Sequence, residues 1–141
     1  MSASVVTCTS CGTRNRVPSI AKGRPRCQSC KSALPWITSA GDTNFDEVAD
    51  SSRWPVLVDL WAPWCGPCRQ LSPLLEKLTR DRAGKMKLVK VNVDNAPGLA
   101  QRFDARSIPT LVMLKDGKPV GRQIGALPAA PLTKWVDGQL R

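Results

Sequence analysis

Six cysteines fall into three Cys-x-x-Cys pairs, Cys8/Cys11, Cys27/Cys30 and Cys65/Cys68, with none left over. Two chemistries are open to a thiol pair at this spacing. It can close into a disulfide and exchange electrons with another disulfide, or it can supply half the thiolates of a tetrahedral metal site. Histidine is absent, so a metal site must be built from thiolates, and acid–base work falls to Asp, Glu, Lys or Cys. Spacing does not choose between the two chemistries. The neighbours of each pair do.

The central pair sits in "WCGPC", directly after the apolar run "PVLVDLWA" from Pro55 to Ala62. That run is the profile of a strand buried on both faces of a sheet. Pro67 suits the first turn of a following helix, where an N–H is not needed. Cys65 then faces the positive end of the helix dipole and its free N–H groups, which favour the thiolate, so Cys65 is the expected nucleophile. Cys68, one turn further in, is expected to be the more buried thiol, placed to attack a disulfide formed at Cys65. Attack by Cys65 on a substrate disulfide would give a mixed disulfide, and Cys68 would displace it. Asp59 stands in the middle of the buried strand, where a carboxylate is costly. Two readings are open: a structural ion pair with Lys90, or a proton acceptor of raised pKa that takes the Cys68 proton through water.

The outer pairs have neither a buried strand before them nor a proline-bearing helix start after them. Their pattern, Cys8-x₂-Cys11-x₁₅-Cys27-x₂-Cys30, fits a four-cysteine zinc site, two knuckles closing on one ion. Gly12 suits the tight turn after the first knuckle. Two disulfides, or further redox dithiols, are the alternatives. Residues 1–35 hold several Gly and Pro residues and few large apolar side chains, so this segment cannot bury enough surface to fold unaided. One structural Zn²⁺ would supply the missing folding free energy, and no organic cofactor is implied.

The elements that must position these groups follow from periodicity. "LPWITSAGDTNFDEVADSS" reads as an extended linker and a short helix capped near Asp42 or Thr43, with Phe45 and Val48 inward. After the buried strand, Leu71, Leu74, Leu75 and Leu78 recur at helical spacing, with Pro73 inside the helix as a source of a kink. "MKLVKVNVD" alternates as a strand, and "NAPGLAQRF" is a short helix with Pro97 in its first turn. "PTLVMLKDGKPVGRQIGA" is a hairpin turning at Asp116-Gly117. The last helix turns Leu132, Trp135, Val136 and Leu140 to one face. The order is α/β, a mixed sheet between helices, with a four-cysteine module at 1–35 and the larger domain at 36–141. No internal repeat is evident.

The chain of 141 residues carries a formal charge of +10. Residues 1–35 contribute +6 with no acidic residue, and residues 36–141 contribute +4. A tetrathiolate zinc site adds −2, so part of the basic charge compensates the cluster. Arg14, Arg16, Lys22, Arg24 and Arg26 could meet phosphates, but the segment has no stacking platform, so nucleic acid is not the expected partner. The start lacks a secretory signal and no stretch reaches eighteen apolar residues, so a cytoplasmic protein with no membrane association is expected.

"VLVDLWAPWCGPC" together with "KVNVD", "SIPTLVMLKDGK" and Gly125-Ala126 resembles the thioredoxin family over roughly residues 42–141. That resemblance implies the thioredoxin fold and a protein-disulfide reductase recharged by thioredoxin reductase from NADPH. It implies catalytic roles for Cys65, Cys68, Asp59, Lys90 and Pro109, the last as a cis-proline lying against the dithiol. Trp61, Trp64, Gly66, Pro67, Ile108 and Gly125 would form the substrate surface, and oxidised proteins would be the substrates of a monomer. Pro63 departs from the acidic residue often found there in the family, and with Arg69 makes the rim less negative. The four cysteines Cys8, Cys11, Cys27 and Cys30 extend the resemblance to the thioredoxin 2 branch, which carries an N-terminal zinc-binding extension. Three other functions stay open: a disulfide oxidase or isomerase, a basic zinc module that docks nucleic acid or protein, and a zinc module that senses oxidation.

Overall fold

The computed structural model describes residues 3–21 and 23–141; Lys22, one of the basic residues above, lies outside the described residues. Strands β1 (Ala3–Thr7) and β2 (Arg14–Pro18) form a separate antiparallel pair. Then come β3 (Trp36–Ser39), a short π-helical turn at Asp46–Asp50, β4 (Val56–Trp61), helix α1 (Gly66–Asp81) and β5 (Lys87–Asn92). The chain closes with α2 (Pro97–Arg102), β6 (Thr110–Lys115), β7 (Lys118–Ile124) and α3 (Ala129–Leu140). Five strands make one mixed sheet in the order β3-β5-β4-β6-β7, parallel through the first three and antiparallel through the last two. Among the described residues no helix is long and apolar enough to cross a membrane.

Strand alternation sorts the core onto two faces. Val56, Val58, Leu60, Val89, Val91, Val112 and Leu114 pack with Phe45, Val48, Leu99 and Phe103 on one side. Leu57, Leu88, Leu111 and Met113 pack with Leu71, Leu75 and Leu78 of α1 and Leu132 and Val136 of α3 on the other. Since β4 lies centrally and is covered on both faces, its continuous apolar run needs no alternation. The hairpin turns where expected, with Asp116 at φ 52° and Gly117 at φ 76°, the left-handed pair of a tight two-residue loop. Helix α1 runs as one element through Pro73.

Two readings of the stretch before β4 need correction. Trp36–Ser39 is not a linker; it is β3, a parallel edge strand whose register sets Trp36 against Lys87 and Ser39 against Lys90. Asp42 does not cap the turn that follows it. Its carboxylate accepts from the N–H groups of Gly98 and Leu99, both at 2.9 Å, and so caps α2 across the fold. Capping by a residue distant in sequence leaves no local pattern to read.

The N-terminal segment is packed onto the sheet. Cys8, Val17, Cys27, Leu34 and Trp36 form a small shared core, with Val6 and Trp54 against it. Trp36 Nε1 donates to the Pro18 carbonyl at 3.0 Å, and the hydroxyls of Ser19 and Thr38 meet at 2.6 Å. Arg24 lies over the Trp54 ring at 4.5 Å, so part of the basic charge of the segment serves packing. Lys87, 1% exposed, is the pin: its ammonium donates to the carbonyls of Ser19 at 2.6 Å and Val48 at 2.5 Å and stands 4.0 Å from the Trp36 ring centroid.

Burial pushes the Lys87 amine down from 10.5 to about 8. Between those values the unfolded chain binds the proton and the folded chain does not, so stability must rise with pH across that window and be lost as pH falls through about 8. Denaturant melts of the wild type from pH 7.5 to 10.5 should gain up to about 3 kcal/mol from this group, and Lys87→Met should lack that gain.

Candidate functional site

Strand β4 ends at Trp61 and α1 begins at Gly66, so the intervening turn must carry the dithiol. Cys65 is the N-cap of α1, in extended conformation, and its sulfur accepts from the N–H of Cys68 at 3.2 Å. Gly66 and Pro67 form the first helical positions, as the proline requires. Cys65 and Cys68 are joined as a disulfide, with Cα atoms 5.3 Å apart. The expected difference in burial is not found: both are 4% exposed, because Ala62, Trp61, Val93 and Ile108 pack against the pair together. What separates the two sulfurs is the helix terminus, since Cys65 alone sits in the cap position.

The Ile108–Pro109 peptide is cis, and the Ile108 carbonyl lies 3.8 Å from Cys65 Sγ. Gly125, at φ 94°, donates its N–H to the Pro109 carbonyl at 2.9 Å, and a Cβ there would meet no atom within 4 Å. This glycine answers to its backbone angle and leaves open space beside the proline. Trp64 is 68% exposed, its Nε1 donating to Asp94 at 3.2 Å, so it is surface and not core. Trp61 is partly buried against the dithiol, and Trp135, on α3 with Leu132, is partly buried against the α1-side core. An exposed indole and open space thus flank a disulfide at a helix N-terminus.

Behind the dithiol, Asp59 is 3% exposed and register-paired with Lys90 on β5. The ion pair considered above is not made. Lys90 Nζ donates to Ser72 Oγ at 2.7 Å and stands 3.8 Å from Glu76 Oε1, while Asp59 Oδ1 has no hydrogen-bond partner. Burial pushes the Asp59 carboxyl up to about 6, against an opposing pull from Lys90 and with a smaller push from Glu76. A buried group that titrates near neutrality can take or give a proton there.

The remaining four cysteines come together on a second site. Their sulfurs all lie within 4.8 Å of one another, with Cys8–Cys30 and Cys11–Cys27 at 3.6 Å, and none is in a disulfide. A metal–sulfur bond of about 2.3 Å in a tetrahedron requires sulfurs about 3.8 Å apart, so the set fits one tetrathiolate metal ion. The two turns share one hydrogen-bond plan. Cys8 N–H donates to Thr13 O and Gly12 N–H to Cys8 O; Cys27 N–H donates to Ser32 O and Lys31 N–H to Cys27 O. Gly12 at φ 79° and Lys31 at φ 65° occupy equivalent left-handed positions, a short structural repeat hidden because only one of the two is glycine.

One residue at this site escaped the sequence reading. Asn15, 6% exposed, donates to Cys27 Sγ at 3.5 Å and to Thr13 O at 3.1 Å, and accepts from the Gln28 N–H at 3.0 Å. It ties one knuckle to the other, and a lone asparagine in a strand carries no pattern that would reveal it. Cys27 is brought down to about 6, first by the N–H of Cys30, with Asn15 and the Ser29 N–H adding to it, so this sulfur favours the ligating thiolate.

A family profile described as thioredoxin matches residues 37–138. The chain belongs to the thioredoxin family. It is 45% identical over 101 residues to thioredoxin from Haemophilus influenzae, covering 72% of this chain and 94% of the relative. It is also 42% identical over 120 residues to a chloroplastic M-type thioredoxin of Zea mays, covering 84% of this chain and 71% of that protein. Of the corresponding Triticum aestivum protein, 42% identical over 108 residues and 77% of this chain, it spans 62%. As a thioredoxin, the protein is a thiol–disulfide oxidoreductase, with Cys65–Cys68 as the disulfide in its active-site region.

The raised Asp59 pKa has a thermodynamic consequence. Below about 3.8 both states bind the proton; as pH rises to about 6 only the folded state keeps it, and that share of stability is lost. Asp59→Asn should therefore stabilise this thioredoxin by on the order of 3 kcal/mol at pH 7 and by little at pH 4, read from urea melts at the two pH values.

Proposed function

We propose that the protein is a protein-disulfide reductase of the thioredoxin 2 branch, combining a redox domain at 36–141 with a structural zinc module at 1–35. The observation that carries the proposal is the coexistence of two cysteine states: one disulfide at a helix N-cap, and four unpaired thiols held at tetrahedral spacing.

In the reduced enzyme the Cys65 thiolate attacks one sulfur of a substrate disulfide. A Cys65–substrate S–S bond forms and the other substrate sulfur leaves as a thiolate. Cys68 then loses its proton to Asp59 and attacks Cys65 Sγ; the mixed disulfide breaks and the second substrate thiol departs. Two electrons have moved, the substrate is reduced and Cys65–Cys68 is oxidised. Thioredoxin reductase, drawing on NADPH, restores the dithiol. Trp64, Trp61, Ile108 and the space at Gly125 receive the substrate chain, while Pro109 bounds the groove and Lys90 sets the charge near Asp59. The Gly66-Pro67 pair between the cysteines favours the reducing direction over an oxidase or isomerase.

Cys8, Cys11, Cys27 and Cys30 hold the Zn²⁺, which supplies folding free energy to a segment with a small core. Unpaired thiols in such number suit a reducing compartment, and a cytoplasmic setting is supported on that ground.

The test is a disulfide-reduction assay with insulin as substrate. Cys65→Ser should abolish turnover, and Cys68→Ser should accumulate a covalent mixed disulfide with substrate, visible by non-reducing mass spectrometry. Full activity in Cys65→Ser, or no trapped adduct in Cys68→Ser, would contradict the assignment.

A further inference from the structure

Helix α1 carries a polar row that extends beyond the resolving thiol. Cys68, Ser72 and Glu76 recur every four residues and so share one face of the helix. Ser72 and Glu76 are half-buried and are the two groups that hold the Lys90 ammonium, at 2.7 and 3.8 Å. The cation nearest to Asp59 is therefore anchored on the helix, although strand register makes Lys90 and Asp59 direct neighbours. The carboxylate oxygen Asp59 Oδ1 is left without a partner.

We propose that Ser72 is a positioning residue for thiol–disulfide exchange: its hydroxyl, seconded by Glu76, fixes the Lys90 ammonium toward α1 and denies Asp59 an ion-pair partner, leaving the buried carboxylate free to receive the Cys68 proton. The inference rests on the reading of Asp59 as proton acceptor. An ammonium released from Ser72 would be free to turn toward the unpartnered Asp59 Oδ1 of the register neighbour. A lysine paired to a carboxylate lowers its pKa, and a weaker base takes the Cys68 proton more slowly.

The electrostatic surroundings of Asp59 are simple enough for this to be decisive. The charges that act on it are Lys90 on β5 and Glu76 on α1, and the cysteines of the neighbouring disulfide do not titrate. On its other side, β6 presents the uncharged Leu111 in register. The elevated carboxyl, near 6, is what burial with a restrained counter-charge should produce.

The experiment has two readouts on the full-length protein. First, the Asp59 carboxyl is titrated by ¹³C NMR in the oxidised state for wild type, Ser72→Ala, Ser72→Thr, Lys90→Met and the Ser72→Ala/Lys90→Met double variant. Ser72→Ala should move the titration down by about one pH unit or more. Ser72→Thr, which keeps the hydroxyl, should stay near wild type, and Ser72→Ala should have no effect once Lys90 is methionine. Second, the rate at which Cys68 resolves a preformed Cys65 mixed disulfide is followed against pH. In Ser72→Ala the acid limb should move the same way, and the plateau should fall several-fold. An Asp59 titration that does not move, or that moves equally in the Lys90→Met background, overturns the assignment of Ser72. A titration that moves while the resolving rate does not also overturns it, by removing Asp59 from proton transfer.

Discussion

Everything in the redox half depends on how β4 ends. A strand covered on both faces has little freedom to shift, so the residue that follows it is delivered to a fixed point. At that point the chain turns directly into α1, and Cys65 becomes the cap of a helix whose first N–H groups have no other partner. The same strand carries the buried Asp59 two residues before Trp61, on the strand face that it shares with Leu57, which packs against α1. The proposed nucleophile, resolving thiol and proton-accepting group are thus set by one strand–helix junction. The remaining elements close the site: β6 starts just after Pro109, and Gly125 follows β7 to hydrogen-bond it.

The four-cysteine half answers to a different constraint. Its apolar contribution is small, and its largest side chain for packing, Trp36, belongs to the sheet. Cross-links must do what area cannot. Besides the thiol cluster, the links are polar: Asn15 between the knuckles, Trp36 to Pro18, and Lys87 reaching from β5 to Ser19. A buried ammonium satisfied by two carbonyls and an aromatic face loses much if any partner leaves, which makes the junction specific.

What could be read from the residues was what local pattern encodes. The buried run before "WCGPC", the leucine spacing of α1, the Asp116-Gly117 turn and the Pro97 helix all matched, because each is a property of a few consecutive residues. The thiol cluster was legible through its ligand spacing. Failures came where a distant partner decides the outcome. Trp36–Ser39 is a strand because β5 lies beside it, Asp42 caps a helix far along the chain, and β1 and β2 pair in a segment whose strand periods are too short to stand out. Equal burial of Cys65 and Cys68 was hidden for the same reason, since Val93 and Ile108 come from other parts of the chain. Ser72 and Asn15 are ordinary polar residues in sequence, and only the positions of Lys90 and Cys27 give them a role.

The central claim is that identical Cys-x-x-Cys spacing serves two separate chemistries in one chain. Zinc content and a disulfide map, taken together on the full-length protein after mild oxidation by one equivalent of a small-molecule disulfide, address it most directly. The account predicts one zinc per chain retained, with Cys65–Cys68 as the sole disulfide. Loss of zinc in step with new disulfides among Cys8, Cys11, Cys27 and Cys30, or a reduced protein that holds no zinc, would contradict it.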